Sequence, residues 1–459
     1  MKSIKELVKQ YQEIVFNFFN KGHQRTLEAK KNIAASFFIK GISIVINLAL
    51  VPLTINYVNP SQYGIWLTLS SIVAWFSFFD IGFGHGLRNR FAEAKAKGDF
   101  EKARIYVSTT YAVLALIFLS VWLLFFMVNF FVDWSIILNA PTELAQELST
   151  LALIVFSFFC LQIVLKTINT IIIADQKPAK AAFFDMLGQL IALVTIFILT
   201  KTTKGSLIYL GLGLGSAPII MLMVSSLIFY SKSYKYFAPS LKYVKFSHAK
   251  DIMKLGFNFF FIQIAVIIIY QTNNLIITQT GSPEDVTIFN IAYKYLSIAL
   301  MGFSIILGPF WSAFTEAYTK KDYLWMKTTL KNLKNISYLA VFGVIILVLF
   351  SKYIYQLWIG DTIIIPLHVT IVVGFYIILL IVVALYTQIL NGIGKIKIQL
   401  LSYSIATIFH IPLAIFLGNK WGIIGVILSA SFFYFIISIY TMKQVNLIVR
   451  NKAKGIWIK

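Results

Sequence analysis

Twelve long apolar runs, each of roughly 20 to 26 residues, dominate the sequence. A helix needs ~20 mostly apolar residues to cross ~30 Å of hydrocarbon. The runs are continuous rather than alternating, and in lipid the backbone must satisfy its own hydrogen bonds, so helices are favoured over barrel strands. The sequence therefore predicts an all-α, polytopic membrane protein with twelve transmembrane helices, at approximately 32–55, 63–83, 106–131, 149–173, 181–200, 207–230, 255–278, 286–310, 335–356, 366–390, 398–417 and 422–441.

The basic residues are distributed unevenly among the connections between these runs. Of the 40 Lys and Arg residues, 33 lie in the N-terminal segment, the even-numbered loops and the C-terminal tail. Cytoplasmic loops retain Lys and Arg, so both termini are predicted to be cytoplasmic. The net charge of +22 is therefore mainly a consequence of topology. No nucleic-acid partner is expected, because the charge is divided among short loops without a recognisable binding module.

An internal repeat divides the chain into two halves. A shift of 223 positions aligns the first two apolar runs with the seventh and eighth without a gap, and it places FAEAKAKGDF on FTEAYTKKDY with five identities in ten. Each half contains six runs, so both halves insert with the same orientation, as in parallel-repeat transporters that rock about a central cavity. The predicted organisation is an amphipathic N-terminal segment (1–31), an N lobe (32–230), a linker (231–254), a C lobe (255–441) and a tail (442–459). The N-terminal segment is expected to lie on the membrane surface, with a partner-binding helix as the alternative.

Ionisable residues inside the apolar runs are candidates for function, because each costs at least ~2.5 to 3.5 kcal/mol at membrane depth. Lys40 and Asp80 fall near the midplane of the first and second runs. They are interpreted either as a structural ion pair or as part of an anion-binding cavity. Lys294 in the eighth run has no acidic residue within a turn or two and is predicted to face the cavity. The excess of cations over anions indicates a negatively charged substrate.

Other polar residues in the runs have two interpretations each. Gln263, Gln271 and Asn274 share one face of the seventh run, where they would bind sugar hydroxyls or join helices. Lys166 and Asp185 flank a short turn, which favours a structural pair across that hairpin. His410 and His368 are interpreted as helix-packing residues and left out of the site. Cys160 is the only cysteine, so neither an intrachain disulfide nor a cysteine-based metal site is possible.

Several motifs carry a resemblance to a known family. YGIWLTLSSIVAWFSFFDIGFGHGLRN (63–89), the loop that follows it and LNGIGKIKIQ (390–399) resemble the Wzx-type polysaccharide flippases of the multidrug, oligosaccharidyl-lipid and polysaccharide (MOP) exporter superfamily. The resemblance covers roughly residues 30–445. It implies two six-helix lobes forming a V around a cationic cavity lined by the first, second, seventh and eighth helices. The positions that match cavity or mouth residues are Lys40, Asp80, Arg88, Arg90 and Lys294.

The resemblance also implies a substrate and partners. The expected cargo is an undecaprenyl-diphosphate-linked oligosaccharide repeat unit, moved from the cytoplasmic to the periplasmic leaflet for surface polysaccharide such as O-antigen. Membrane lipid and the polysaccharide polymerase machinery are the expected partners. No cofactor is expected, since the sequence has no GxxxxGK[ST] loop and no HExxH motif; coupling to a proton or sodium gradient stays open. The alternatives are a drug or metabolite exporter of the same superfamily and a membrane enzyme of envelope polysaccharide synthesis.

Overall fold

The computed structural model describes residues 24–80, 82–175, 177–308 and 310–458. Within these residues the chain is helical, without strands, as predicted. The predicted surface segment (1–31) lies almost entirely outside the described residues. The helices are α1 (Gln24–Val58), α2 (Pro60–Trp75), α3 (Phe83–Ala96), α4 (Phe100–Asn129), α5 (Trp134–Ile137), α6 (Ala145–Leu165), α7 (Thr167–Ala174), α8 (Pro178–Thr202), α9 (Leu207–Ser231), α10 (Ala249–Thr280), α11 (Pro283–Leu307), α12 (Phe310–Thr319), α13 (Tyr323–Ile359), α14 (Leu367–Ile393), α15 (Lys397–Trp421) and α16 (Ile423–Val449).

Ten helical segments of the described chain are long and apolar enough to cross a membrane, and each coincides with a predicted run. The seventh predicted run lies in the 32-residue helix α10, where the side chains of residues 254–267 are outside the described part. The second predicted run is shorter than expected. Helix α2 ends at Trp75, a 3₁₀ turn covers Phe76–Asp80, and Gly82 adopts a left-handed φ of 75° before α3 begins. Glycine adopts this conformation without a steric penalty, so the chain bends here instead of continuing.

The two halves repeat each other in detail at helix starts 223 positions apart. Asn59 and Ser282 both cap a helix that begins with proline, and each side chain accepts a hydrogen bond from the backbone three residues later. Asp99 and Asp322 do the same, with O–N distances of 3.0 Å. The preceding residues, Gly98 and Lys321, both have positive φ. Side-chain caps at equivalent positions start equivalent helices, so the sequence repeat is also a structural repeat.

A buried carboxylate holds the N lobe together at the end of the bundle that carries the Lys- and Arg-rich loops. We call this end the basic face, and the other end the opposite face. Asp175 accepts hydrogen bonds from Lys95 on α3, from Lys177 at 2.6 Å and from the hydroxyl of Tyr234 at 2.8 Å. Burial raises the pKa of Asp175, but these donors outweigh burial and hold it below its ordinary value. The carboxylate thus joins α3, the α7–α8 turn and the end of α9.

Replacing Asp175 with asparagine is expected to destabilise the protein by about 1–3 kcal/mol, because two ammonium groups lose a charged acceptor. The folded pKa is depressed, so this contribution is complete above the ordinary carboxylate pKa of about 3.9 and is lost as the pH falls through the folded value. Thermal unfolding in detergent should show a lower Tm for Asp175→Asn at pH 7 and a smaller difference near pH 3. The control is Glu93→Gln, an exposed carboxylate; an equal loss of Tm in both variants would contradict the assignment.

Candidate substrate site between the lobes

At the opposite face the start of α2 packs directly on the start of α11. Thr287 donates a hydrogen bond to the carbonyl of Pro60 at 2.6 Å. A Cβ on Gly64 would lie 1.6 Å from the carbonyl oxygen of Pro283. Only glycine fits at this contact, so the backbones of the N lobe (α1–α9) and the C lobe (α10–α16) meet here.

Helices α2 and α10 continue this contact toward the centre of the bundle. The buried hydroxyls of Thr68 and Thr278 are 2.7 Å apart, and the amide of Asn274 donates to Ser71 at 2.7 Å. Gln279 on α10 donates to the carbonyl of Ile137 at 2.6 Å, so α5 of the N lobe also contacts the C lobe. Buried polar groups that satisfy one another across two helices form a specific closed contact. The structure is therefore sealed between the lobes at the opposite face.

A proline supplies one further link in this seal. Pro52 lies inside α1 and lacks an N–H group, so the carbonyl of Leu48, four residues earlier, has no intrahelical donor. The indole nitrogen of Trp358, at the end of α13, donates to that carbonyl at 2.8 Å. The carbonyl left without a donor in α1 is thereby satisfied by a side chain of the other lobe.

Trp358→Phe should loosen the seal by about 1 kcal/mol, because the Leu48 carbonyl loses its donor. In a Cys160→Ala background, a cysteine at Thr68 should then react with a water-soluble maleimide about five- to tenfold faster. Pro52→Ala restores the intrahelical donor, so it should reduce the effect of Trp358→Phe. An equal effect of Trp358→Phe with and without Pro52 would contradict the link.

Toward the basic face the two sides of the lobe interface differ. On one side, α3 lies against the start of α10: Arg90 contacts Asp251 at 2.5 Å and Glu93 at 3.0 Å. The hydroxyl of Tyr106 donates to Asp251 at 3.1 Å. On the other side, no hydrogen bond or ion pair joins the described residues of α1 to those of α11, and Lys40, Met301 and Ser304 are exposed. The described polar contacts between the lobes at this end therefore lie on the side of α3 and α10.

The two predicted intramembrane lysines lie on different lobes, Lys40 on α1 and Lys294 on α11. Lys294 is partly buried, and its Nζ donates to the hydroxyl of Tyr63 at 2.8 Å and lies 5.6 Å from that ring's centroid. A phenol is neutral, so the contact orients the ammonium group without cancelling its charge. Within the described residues neither Lys294 nor the exposed Lys40 has a carboxylate within 4.0 Å. The side chain of Asp80 lies outside the described part, so its pairing with Lys40 stays a prediction.

The three amide residues predicted on one face of the seventh run, Gln263, Gln271 and Asn274, differ in their contacts. Asn274 donates to Ser71 and accepts from Asn290 at 2.9 Å, so in this conformation it joins α10 to α2 and α11. For Asn274 the structure supports helix packing, the second of the two interpretations. Gln271, one turn closer to the basic face, is partly exposed and has no hydrogen-bond partner in the described chain. The side chain of Gln263 is outside the described residues.

Two other expectations are decided by the contacts. The predicted Lys166–Asp185 ion pair is wrong at the 4.0 Å limit: Asp185 instead accepts from Asn169 at 2.8 Å, and Lys166 acts on it only through its charge. Lys166 itself lies at the junction between α6 and α7. His410 is buried and hydrogen-bonded to Ser429 and Asn273, as expected for a packing residue.

Arg88 and Arg90, both predicted at the cavity or its mouth, lie apart from the lysines. Arg90 is committed to Asp251 and Glu93, as described above. Arg88 lines a cavity enclosed by N-lobe helices. Sequence patterns did not indicate Tyr63 or Trp358, because both act on residues more than 200 positions away. The one sequence signal for the Trp358 contact was Pro52: a proline inside an apolar run predicts that the carbonyl four residues earlier lacks a helical donor.

Comparison with solved structures defines the class of this fold. The chain superposes on an inward-facing multidrug resistance MATE family transporter of the MOP superfamily with a TM-score of 0.76 and 13% identity, covering 92% of this chain and 98% of that chain. An outward-facing structure of a MATE family transporter of the same superfamily gives 0.63 and 14% identity, with 94% and 97% covered. A MOP transporter from Pyrococcus furiosus gives 0.67 and 14% identity, with 95% and 98% covered. The fold is that of a MOP-superfamily membrane transporter.

The sequence itself places the chain within that class. Residues 29–314, more than half of the chain, match the family described as Polysaccharide biosynthesis protein, and the chain belongs to this family. A protein from Salmonella typhimurium named “Putative O-antigen transporter” is 23% identical over 444 residues, 92% of this chain and 97% of its own length. A protein of the same name from Salmonella typhi is 23% identical over 299 residues, 63% of this chain and 66% of its own length. The resemblance to Wzx-type flippases is confirmed: the chain is a multi-pass transporter rather than an enzyme.

Proposed function

We propose that this transporter flips a polyprenyl-diphosphate-linked oligosaccharide, such as an O-antigen repeat unit, from the cytoplasmic to the periplasmic leaflet of a bacterial inner membrane. The observation that carries the proposal is Lys294, a partly buried cation at the lobe interface whose described partner is a neutral hydroxyl. A charge at membrane depth needs a partner, a wet cavity or a task. The diphosphate of a lipid-linked sugar has two anionic groups and would supply the charged partner that Lys294 lacks.

The orientation follows from the basic loops. If the basic face is cytoplasmic, as the positive-inside rule predicts, the seal formed by Thr68, Thr278 and Trp358 closes the periplasmic side. The space between α1 and α11 then opens to the cytoplasm, where a lipid-linked sugar is assembled. In this arrangement Lys40 meets the incoming head group first and Lys294 holds it deeper.

The transport step follows from the contacts of each lobe. The polyprenyl tail stays in lipid, while the head group passes between α1 and α11. Binding of the diphosphate to Lys294 removes its hydrogen bond to Tyr63, one of the links that join α2 to α11. The bound diphosphate thus weakens the contact between α2 and α11 and at the same time neutralises the charge of Lys294. Both effects favour rocking of the lobes to the outward-open state. Coupling of this step to a proton or sodium gradient stays open, and we propose that the polymerase machinery receives the sugar outside.

A cation exporter is the main competing function, because MATE transporters share this fold. The two proposals predict opposite results in a deletion strain. Flipping of a lipid-linked sugar predicts loss of surface polysaccharide and accumulation of its lipid-linked unit in the cytoplasmic leaflet, with unchanged sensitivity to cationic drugs. Increased drug sensitivity with normal polysaccharide would favour the exporter. A membrane enzyme such as a polymerase or ligase would instead convert the lipid-linked unit to product in detergent, without sealed vesicles. Such conversion by the purified protein would favour the enzyme.

A further inference from the structure

A cavity of about 390 Å³ lies within the N lobe, apart from the contacts between the lobes. Its walls come from the 3₁₀ turn at Phe76–Asp80, α3, α4, the end of α6 and α7, so every lining residue belongs to the N lobe. The volume falls within the range of small-ligand pockets, about 300–1,000 Å³. Its residues therefore form a candidate site that is distinct from the Lys294 site.

Two cations line this cavity without an ion-pair partner. Arg88 comes from α3, and Lys166 from the break between α6 and α7. Both side chains are exposed, so the cavity is open, and neither has a carboxylate within 4.0 Å in the described chain. Asp185, which is not part of the lining, interacts with Lys166 through its charge and accepts a hydrogen bond from Asn169. The described lining keeps an excess of positive charge.

Three deeply buried polar atoms of the same lining have no hydrogen-bond partner. They are the hydroxyls of Thr110 and Thr167, both at most 3% exposed, and the amide oxygen of Asn169, also 3% exposed. The amide nitrogen of Asn169 donates to the carboxylate of Asp185, which can only accept, so the amide oxygen is the atom left over. Orphaned buried groups of this kind indicate a missing ligand or ordered water.

The lining specifies the chemistry of that ligand. Two threonine hydroxyls, a guanidinium and an ammonium are donors suited to the oxygens of a phosphate, and arginine can bind such oxygens through two parallel bonds. The amide oxygen of Asn169 accepts from a hydroxyl or from a water that accompanies the anion. We propose that the cavity formed by Arg88, Lys166, Thr110, Thr167 and Asn169 binds a phosphate or diphosphate group. This inference does not depend on the proposed cargo of the Lys294 site.

The test localises binding with a cysteine in the cavity wall. Thr170 lines the cavity and is partly exposed, so Thr170→Cys in a Cys160→Ala background can react with the small neutral reagent methyl methanethiosulfonate. In phosphatidylcholine nanodiscs, pyrophosphate should slow this reaction. Arg88→Gln or Lys166→Gln should raise the concentration needed for half-protection by about ten- to hundredfold, as expected for loss of a charge-assisted hydrogen bond. Lys166→Arg, which keeps the charge, should retain protection.

Matched variants separate this site from the transport site. Lys294→Gln and Lys201→Gln, an exposed lysine at the opposite face, should leave protection unchanged. Nanodiscs that contain phosphatidylglycerol identify the source: slow labelling without pyrophosphate identifies a lipid headgroup, and fast labelling slowed only by pyrophosphate identifies a soluble or cargo diphosphate. Absence of protection by both anions, or protection that survives loss of both cations, would overturn the proposal. Transport by Lys294→Gln is measured separately, so either proposal can fail alone.

Discussion

Lys294→Gln should reduce surface polysaccharide by about ten- to hundredfold while the amount of protein in the membrane stays normal. The reduction is that expected when a phosphate oxygen loses a charge-assisted hydrogen bond, about 1.5–3 kcal/mol. Lys294 is the partly buried cation at the lobe interface, and its described partner is the neutral Tyr63 hydroxyl. The measurement is polysaccharide per cell in a deletion strain complemented with each variant, normalised to protein quantified by immunoblot.

Tyr63→Phe tests whether Lys294 binds an anion or only holds α11 against α2 through its hydrogen bond to Tyr63. It removes the hydroxyl that accepts from the ammonium group but leaves the charge of Lys294 to bind the diphosphate, so polysaccharide should remain within about threefold of wild type, a change of ~0.6 kcal/mol. Lys294→Arg should retain most activity, because it keeps the charge. If Tyr63→Phe were as damaging as Lys294→Gln, the lysine would serve only to hold the two helices together, and the anion-site assignment would be wrong.

Locking the opposite face shut should abolish transport almost completely. The hydroxyls of Thr68 and Thr278 are 2.7 Å apart across the lobe interface, which brings the two side chains close enough for a disulfide between cysteines at these positions. Alternating access requires this contact to separate in every cycle, whereas a covalent bond prevents separation. In a Cys160→Ala background, oxidised Thr68→Cys/Thr278→Cys protein should show little or no flipping in sealed vesicles.

The control is the same preparation after reduction, in which transport should return to at least half of the Cys160→Ala level. The two single-cysteine variants, treated with the same oxidant, should remain active. Full transport by protein that gel analysis shows to be cross-linked would mean that α2 and α10 never part. The rocking mechanism would then be wrong, even though the protein could still be a transporter.

The sequence predicted the membrane helices well, because lipid leaves the backbone no alternative to internal hydrogen bonding. The repeat was also visible, since Asn59 with Pro60 and Ser282 with Pro283 are local signals that act within one turn. The bend between α2 and α3 was missed. Hydropathy continues smoothly across it, while the chain turns at the single left-handed Gly82.

The candidate site was predictable in its residue types but less so in their partners. The cost of charge in lipid singled out Lys294 correctly as a residue in need of a partner, but Tyr63 lies 231 positions away and has no sequence signal. Lys166 and Asp185 are close in sequence, yet the hydrogen-bond donor to Asp185 is Asn169, three residues after the lysine. Asn274 could bind sugar or join helices on sequence grounds, and only its contacts with Ser71 and Asn290 distinguish the two.

The most direct test is to reconstitute the purified protein in sealed vesicles that contain a labelled polyprenyl-diphosphate oligosaccharide, and to measure how much label an impermeant sugar-cleaving enzyme can reach. Vesicles with protein should lose the protected, inner-leaflet pool within the assay, whereas protein-free vesicles should retain it until detergent is added. A protected pool that persists in the presence of folded, correctly inserted protein and an imposed proton or sodium gradient would contradict the account.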